Sequence, residues 1–196
     1  MRSIVTGVVC VVVLGAGVAV NGQAGGGRQM APPTPPASVS AEVGGMYNNI
    51  ANFIARTADM VPAEKYTWQP TPEVRTFARL FAHITDDNNG ACAAIAGVTP
   101  APARVDQGSA GNWAADKMTK ADLIKGLADS VELCKKAFSM VDQANMMEMA
   151  GRRTRIGNLI FNTSHINEHY GNLVTYLRLN GMVPPSSAPR GGGPAD

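Results

Sequence analysis

The chain has 196 residues, 45% hydrophobic and 16% charged, which supplies a real core for one domain and excludes a chain disordered throughout. Its 17 Lys+Arg against 15 Asp+Glu give a formal net charge of +2, with no basic footprint for nucleic acid or an anionic membrane. Three cysteines are too few for a disulfide scaffold and lack the paired spacing of a zinc ribbon.

The chain opens with Met1-Arg2-Ser3, an apolar stretch from Ile4 to Val20, and Asn21-Gly22-Gln23-Ala24. A basic start, an apolar middle and a small-x-small site predict a signal peptide over 1–24, cleaved after Ala24. The apolar stretch is short for a bilayer span and is interrupted by Gly7, Gly15 and Gly17, which disfavours an uncleaved anchor. The mature protein is then secreted or periplasmic, has no membrane partner, and keeps only Cys92 and Cys134. Residues 25–37, with three successive glycines and Pro32, Pro33, Pro35 and Pro36, read as a linker. The domain is expected over 38–185, and 186–196 as a flexible tail of Ser, Pro and Gly.

Proline clusters at Pro62, Pro70, Pro72 and at Pro100, Pro102 divide the domain into segments of helical period. In the first, Val43, Met46, Ile50, Phe53, Ile54 and Thr57 form the expected apolar stripe. In the second, Val74, Phe77, Phe81, Ile84, Ala91 and Ile95 do so. The third carries Leu123, Leu127, Val131, Cys134, Phe138 and Val141, and opens on Thr119-Lys-Ala-Asp122, a capping-box pattern. The fourth runs from about Arg155 to Asn180 and stops at Gly181, with Pro184-Pro185 forbidding continuation. No segment alternates long enough to predict a strand. The expectation is an all-α four-helix bundle. The long join from Gly97 to Met118 can cross the whole bundle, so up-down-down-up topology is preferred over up-down-up-down, with Trp113 pinning the crossover to the bundle side. In that parallel arrangement Cys92 and Cys134 lie on or near apolar stripes at similar levels. A disulfide between them is allowed but not required, and neither is expected to carry the chemistry.

The only histidines are His83, His165 and His169. His165 and His169 project from one face of the fourth helix a turn apart, and His83 lies near the middle of the second helix. All three fall at similar depth, as bundle metal sites require. Three nitrogen ligands and an open position are a catalytic zinc pattern, and the set also suits iron, nickel or copper. The competing reading is three separate polar residues. Asp87, one turn beyond His83, is a fourth ligand, an acceptor for an imidazole N–H, or a solvated helix charge. Asn162 and Asn172 lie close to the histidine face and are candidates to line the cavity. His165-Ile-Asn-Glu168-His169 also matches the H-x-x-E-H peptidase signature, but the only acid after His169 is Asp196 in the tail, so the further ligand of that class is missing.

The stretch from His165 through Tyr170, Gly171, Asn172, Tyr176, Arg178 and Gly181 to Pro185 resembles the last helix of the DinB-like superfamily. Thr76-Phe77-Ala-Arg-Leu-Phe-Ala-His83-Ile-Thr-Asp resembles its second helix. The resemblance covers about residues 41–185. It implies a four-helix bundle, commonly up-down-down-up, that binds a divalent metal through His83, His165 and His169, and no role on DNA. Relatives of this kind include transferases and isomerases that use small thiols, and related bundles that act as hydrolases. Such chemistry uses the metal to make a nucleophile of a thiol or water at neutral pH. Those thiols are cytosolic, at odds with the export signal. The expected function is an exported metal-dependent transferase or hydrolase holding zinc, nickel or iron, with Asp87, Glu168 and Tyr170 as candidate catalytic groups. The alternative is a non-catalytic module in which the metal holds helices together. A small-molecule substrate is the expected partner, and a homodimer is compatible with the sequence.

Overall fold

In a computed structural model of the chain, the described residues are 37–105 and 113–188. The expected signal peptide, nearly all of the linker, the middle of the crossover and most of the tail lie outside them. Four helices account for the domain: α1 (Val39–Met60), α2 (Phe77–Ala96), α3 (Lys120–Ser139) and α4 (Arg155–Leu179). No described helix is long and apolar enough to cross a membrane.

Each helix starts where a hydroxyl can replace a missing acceptor. Ser38, Thr76, Thr119 and Thr154 take the backbone N–H three residues on, contributing about 1 kcal/mol each. At Thr119 the capping box closes differently from the expectation: Asp122 accepts the threonine hydroxyl itself, at 2.7 Å. Aspartate is one methylene shorter than the glutamate that reaches back to the backbone. α2 ends at Gly97 (φ 68°) and α4 is followed by Gly181 (φ 72°), both in the left-handed region. Met182 N–H donates to Leu177 O, which satisfies a terminal carbonyl of α4.

Interhelical bonds give the directions. Ser40 at the start of α1 donates to Phe138 O at the end of α3, and Lys120 at the start of α3 donates to Asp59 O and Val61 O at the end of α1. These two helices are antiparallel. Asn88 meets Ser130, and Cys92 is bonded to Cys134, both at a sequence separation of 42, so α2 and α3 run parallel and in register. Tyr176 meets Phe77 while Asn162 meets Asn88, so α4 is antiparallel to α2. The result is the expected up-down-down-up bundle, with α1 and α2 on one diagonal. The disulfide that the sequence left open is formed, with the two Cα atoms 5.1 Å apart.

The buried face of α1 is rotated from the expected stripe. Ser40, Gly44, Tyr47, Ala51, Ile54 and Ala58 face inward, while Met46 is 55% exposed. The cause is close approach by α3: a Cβ at Gly44 would stand 3.3 Å from the Phe138 ring, which also packs on Tyr47. Hydropathy alone favours Met46 over glycine, but glycine lets the backbones meet. α2 is buried on nearly every side because the crossover covers the face turned from α4. Arg104 and Val105 N–H groups bond Asp86, Ala115 is buried, and Trp113 lies 4.3 Å under the Arg79 guanidinium, so Trp113 does pin the loop.

The connection before α4 holds a two-residue ladder, β1 (Met149–Ala150) paired antiparallel with β2 (Arg153–Thr154) around Gly151 (φ 74°). Two residues per strand leave no readable alternation. Asn158 on the first turns of α4 bonds Ala150 O and ties this hairpin to the helix.

Candidate metal centre

His83 and Asp87 come from α2, His165 and His169 from α4. The antiparallel pairing sets the middle of one helix against the middle of the other, and the i,i+4 spacing aims both members of each pair across the same seam. One ligand atom from each of the four lies within 4.8 Å of all the others. His165 Nε2 and His169 Nε2 stand 3.0 Å apart. Asp87 Oδ2 is 3.2 Å from His83 Nε2 and 3.4 Å from His165 Nδ1. Ligand atoms on a tetrahedral zinc at about 2.0–2.1 Å stand roughly 3.3 Å from one another, so the set fits one ion with little movement.

The partners of the rings also suit a metal. Asp87 Oδ2, 3.4 Å from His165 Nδ1, is placed so that a small shift would let it accept that N–H and leave Nε2 as the ligating atom. Asn172 lies 3.4 Å from His169 Nδ1. With its amide oxygen turned to that nitrogen, His169 likewise keeps Nε2 free. Burial is intermediate: the His83, Asp87 and His165 side chains are 16%, 21% and 25% exposed, so solvent or a small molecule can reach the seam.

Burial is the main reason that His83 is pushed down from its ordinary 6.5 to about 4, followed by the Arg75 guanidinium and His165. His169 is pushed to about 4 by burial, then by His83 and His165, then by Arg75, with Glu168 pulling the other way. Neutral imidazoles are the ligating form, so the fold keeps these two ready at neutral pH. The sign for stability follows. Between 6.5 and about 4 the unfolded chain binds more protons, so the stability of metal-free protein should fall as pH drops through this window and level off below it. Urea midpoints in chelator from pH 7.5 to 3.5 measure this. His83→Gln should flatten the slope, and an equal slope in the variant would remove His83 as a cause.

The other sequence candidates are placed differently. Glu168 is exposed and does not join the donor cluster, and it is the smallest of the influences on His169. Tyr170 turns toward α1, where its ring stacks on Phe53 and its hydroxyl accepts from Ser186 N–H. Asn162 is buried and donates to Asn88 Oδ1 beside the disulfide. Asn172 reaches His169. The structure thus brings Asp87 and Asn172 to the three histidines, and Glu168 and Tyr170 stay outside.

Two clefts flank the histidines along the α2–α4 seam. One, of about 220 Å³, is lined by Asp87, Arg153, Phe161 and Asn162. The other, of about 390 Å³, is lined by Arg75, Arg79, Asn172 and Tyr176. Sequence reasoning missed Arg75 and Arg79. Their signal was two cations at the start of a helix with no acid in its first turn, opposite to dipole preference. Another groove, about 530 Å³, lies on the far side between α1 and α3 and is lined by no histidine.

A family model described as the DinB superfamily matches residues 46–173, more than half of the chain. No curated protein matches it.

Proposed function

The chain belongs to the DinB superfamily, and from that premise we propose that it is an exported metal-dependent enzyme in which His83, His165 and His169 hold one divalent ion beside a small-molecule site. The observation that carries this reading is the convergence of three imidazoles and one carboxylate on a solvent-reachable seam. Zinc, nickel or iron suits the donor set. When bound, the ion supplies Lewis acidity that lowers the pKa of a water or thiol. Asp87 does two things within reach of its carboxylate. It stands beside His165 Nδ1, where it can hold the tautomer that ligates through Nε2, and it is a base within the donor cluster to accept a proton from a nucleophile in the seam. Asn172 orients His169. Export is supported by the apolar stretch Ile4–Val20 and by a buried disulfide, which persists in oxidising compartments.

One observation favours a second reading. Asp87 lies within ligand distance of the histidine cluster and can close the fourth position, which would leave a metal that only ties α2 to α4. The test starts from protein recovered from the exported fraction, with metal content measured by mass spectrometry. It is then assayed for hydrolysis of p-nitrophenyl esters and for transfer of a small thiol to an electrophile. Turnover that disappears on chelation and returns with added zinc, nickel or iron supports the enzyme. Full metal content, no turnover in either assay and a lowered melting temperature on chelation would establish the structural module instead.

A further inference from the structure

The cleft on the Arg75 side of the histidines has an electrostatic character that the metal centre does not explain. Arg75 and Arg79 line it, and neither guanidinium meets a carboxylate among the described residues. Arg79 Nε is buried without a hydrogen-bond partner. Its guanidinium lies over the Trp113 ring, 4.3 Å from the centroid, which holds the fork in place. Arg75 is held at its backbone, where Tyr176 donates to its carbonyl at 2.9 Å.

Two cations at the N-terminal end of α2 oppose the helix dipole; α2 has no acid of its own in its first turn, and the one carboxylate at its cap, Asp116 of the crossover, accepts from the Thr76 hydroxyl and does not line the cleft. The first backbone N–H groups of the helix are already used: Phe77 donates to Trp68 O, Ala78 to Tyr66 O and Arg79 to Thr76 Oγ1. The positive character of the cleft therefore resides in side chains. Among the described residues Glu73 is the one acid that lines it, an exposed carboxylate that the Thr71 hydroxyl holds ionised, against two guanidinium groups. The cleft and the metal centre meet at one residue. Asn172 links the two directly, lining the cleft while its amide stands 3.4 Å from His169.

We infer that this cleft is a subsite for a small organic anion, whose carboxylate or phosphate group is bound by Arg75 and Arg79 while the rest of the molecule extends toward the histidines. The inference rests on the proposed small-molecule chemistry at that centre and specifies its substrate class. Guanidinium binds either anion through paired N–H donors, which adds geometry to charge. Val74 and Tyr176 also line the subsite and favour an anion with an apolar body.

Calorimetric titrations at fixed ionic strength test this, using succinate, phenyl phosphate and the neutral succinamide as probes. Wild type, Arg75→Gln, Arg75→Lys and Arg153→Gln are compared, each with its metal content and melting temperature measured. The two anions distinguish a carboxylate from a phosphate preference. At least one should bind wild type more tightly than succinamide, and Arg75→Gln should weaken it by about tenfold or more, the loss expected for a charge-assisted hydrogen bond. Arg75→Lys should recover part of the affinity, and Arg153→Gln, in the other cleft, should match wild type. Metal content should be unchanged in all four. Equal binding of succinamide and both anions, or wild-type affinity in Arg75→Gln, overturns the subsite. Because a metal-held anion would bind wild type and Arg75→Gln alike, repeating the titrations after chelation separates the two sources. Absence of metal from wild type would count against the metal reading, while the arginine dependence would still be measured.

Discussion

His83→Ala, His165→Ala and His169→Ala should each lose tight metal binding, and each should melt in metal at about the temperature of wild type in chelator. The four donor atoms lie within one small volume, so no imidazole can be removed without under-coordinating the ion. An ion that binds only the folded chain stabilises it by about 4 kcal/mol at a free concentration a thousand times its dissociation constant. For a domain of this size that corresponds to roughly 10 °C in melting temperature. Acidification should release the metal as well, because protonated imidazole does not ligate. The measurement is metal content by mass spectrometry with melting curves, in metal and in chelator. Asp87→Asn belongs in the same series: it should weaken binding less than any histidine variant. Full occupancy in His83→Ala with loss in the two α4 variants would mean that the ion is held by α4 and Asp87, without the facing imidazole.

The second large effect concerns the disulfide. Replacing Cys92 and Cys134 together by alanine should destabilise the protein by about 4 kcal/mol, because the bond closes a loop of sequence separation 42 and removes that freedom from the unfolded chain. Reductant should bring wild type to nearly the same urea midpoint as the double variant. The bond also borders a buried polar set, in which Asn162 donates to Asn88 and Asn88 to Ser130. These bonds join α2 to α3 and to α4 without the sulfurs, so the reduced protein should stay folded with its metal bound. Alkylation of unreduced, denatured protein with peptide mapping checks the premise. Labelling of Cys92 and Cys134 before reduction, with no shift of the urea midpoint on adding reductant, would refute it.

Two helix ends, Thr119 before α3 and Gly181 after α4, were legible because capping is local. A hydroxyl three residues ahead of a free N–H, or a glycine after the last turn, acts through atoms that the chain itself holds close. The depth of the metal site was legible for a related reason. His165 and His169 are one turn apart by covalent geometry, and an antiparallel bundle must bring mid-helix positions to the same level. The fold was therefore accessible from period and punctuation, and the histidine set from spacing within helices. The two-residue ladder at Met149–Thr154 left no signal of that kind.

By itself the sequence determined four helices, the start of α3, the limits of α4, the long crossover and a histidine pair on one face of α4; it did not place the limits of α2, whose expected stripe began at Val74, or the end of α3, whose stripe ran on to Val141. Only the tertiary structure decided rotations and pairings. Gly44 turned inward and Met46 outward because the Phe138 ring from α3 fills the space that a side chain at position 44 would need. Asp87 joined the histidines while Glu168, adjacent to a ligand in sequence, stayed in solvent, because an i,i+4 step returns to the same helix face and a one-residue step turns about 100° away. Arg75 and Arg79 acquired a meaning only when Asn172 and Tyr176 of α4 arrived opposite them and closed a cleft. A helix fixes the angle between its own side chains, but which angle points to a partner is set by the volume and charge of the helix packed against it.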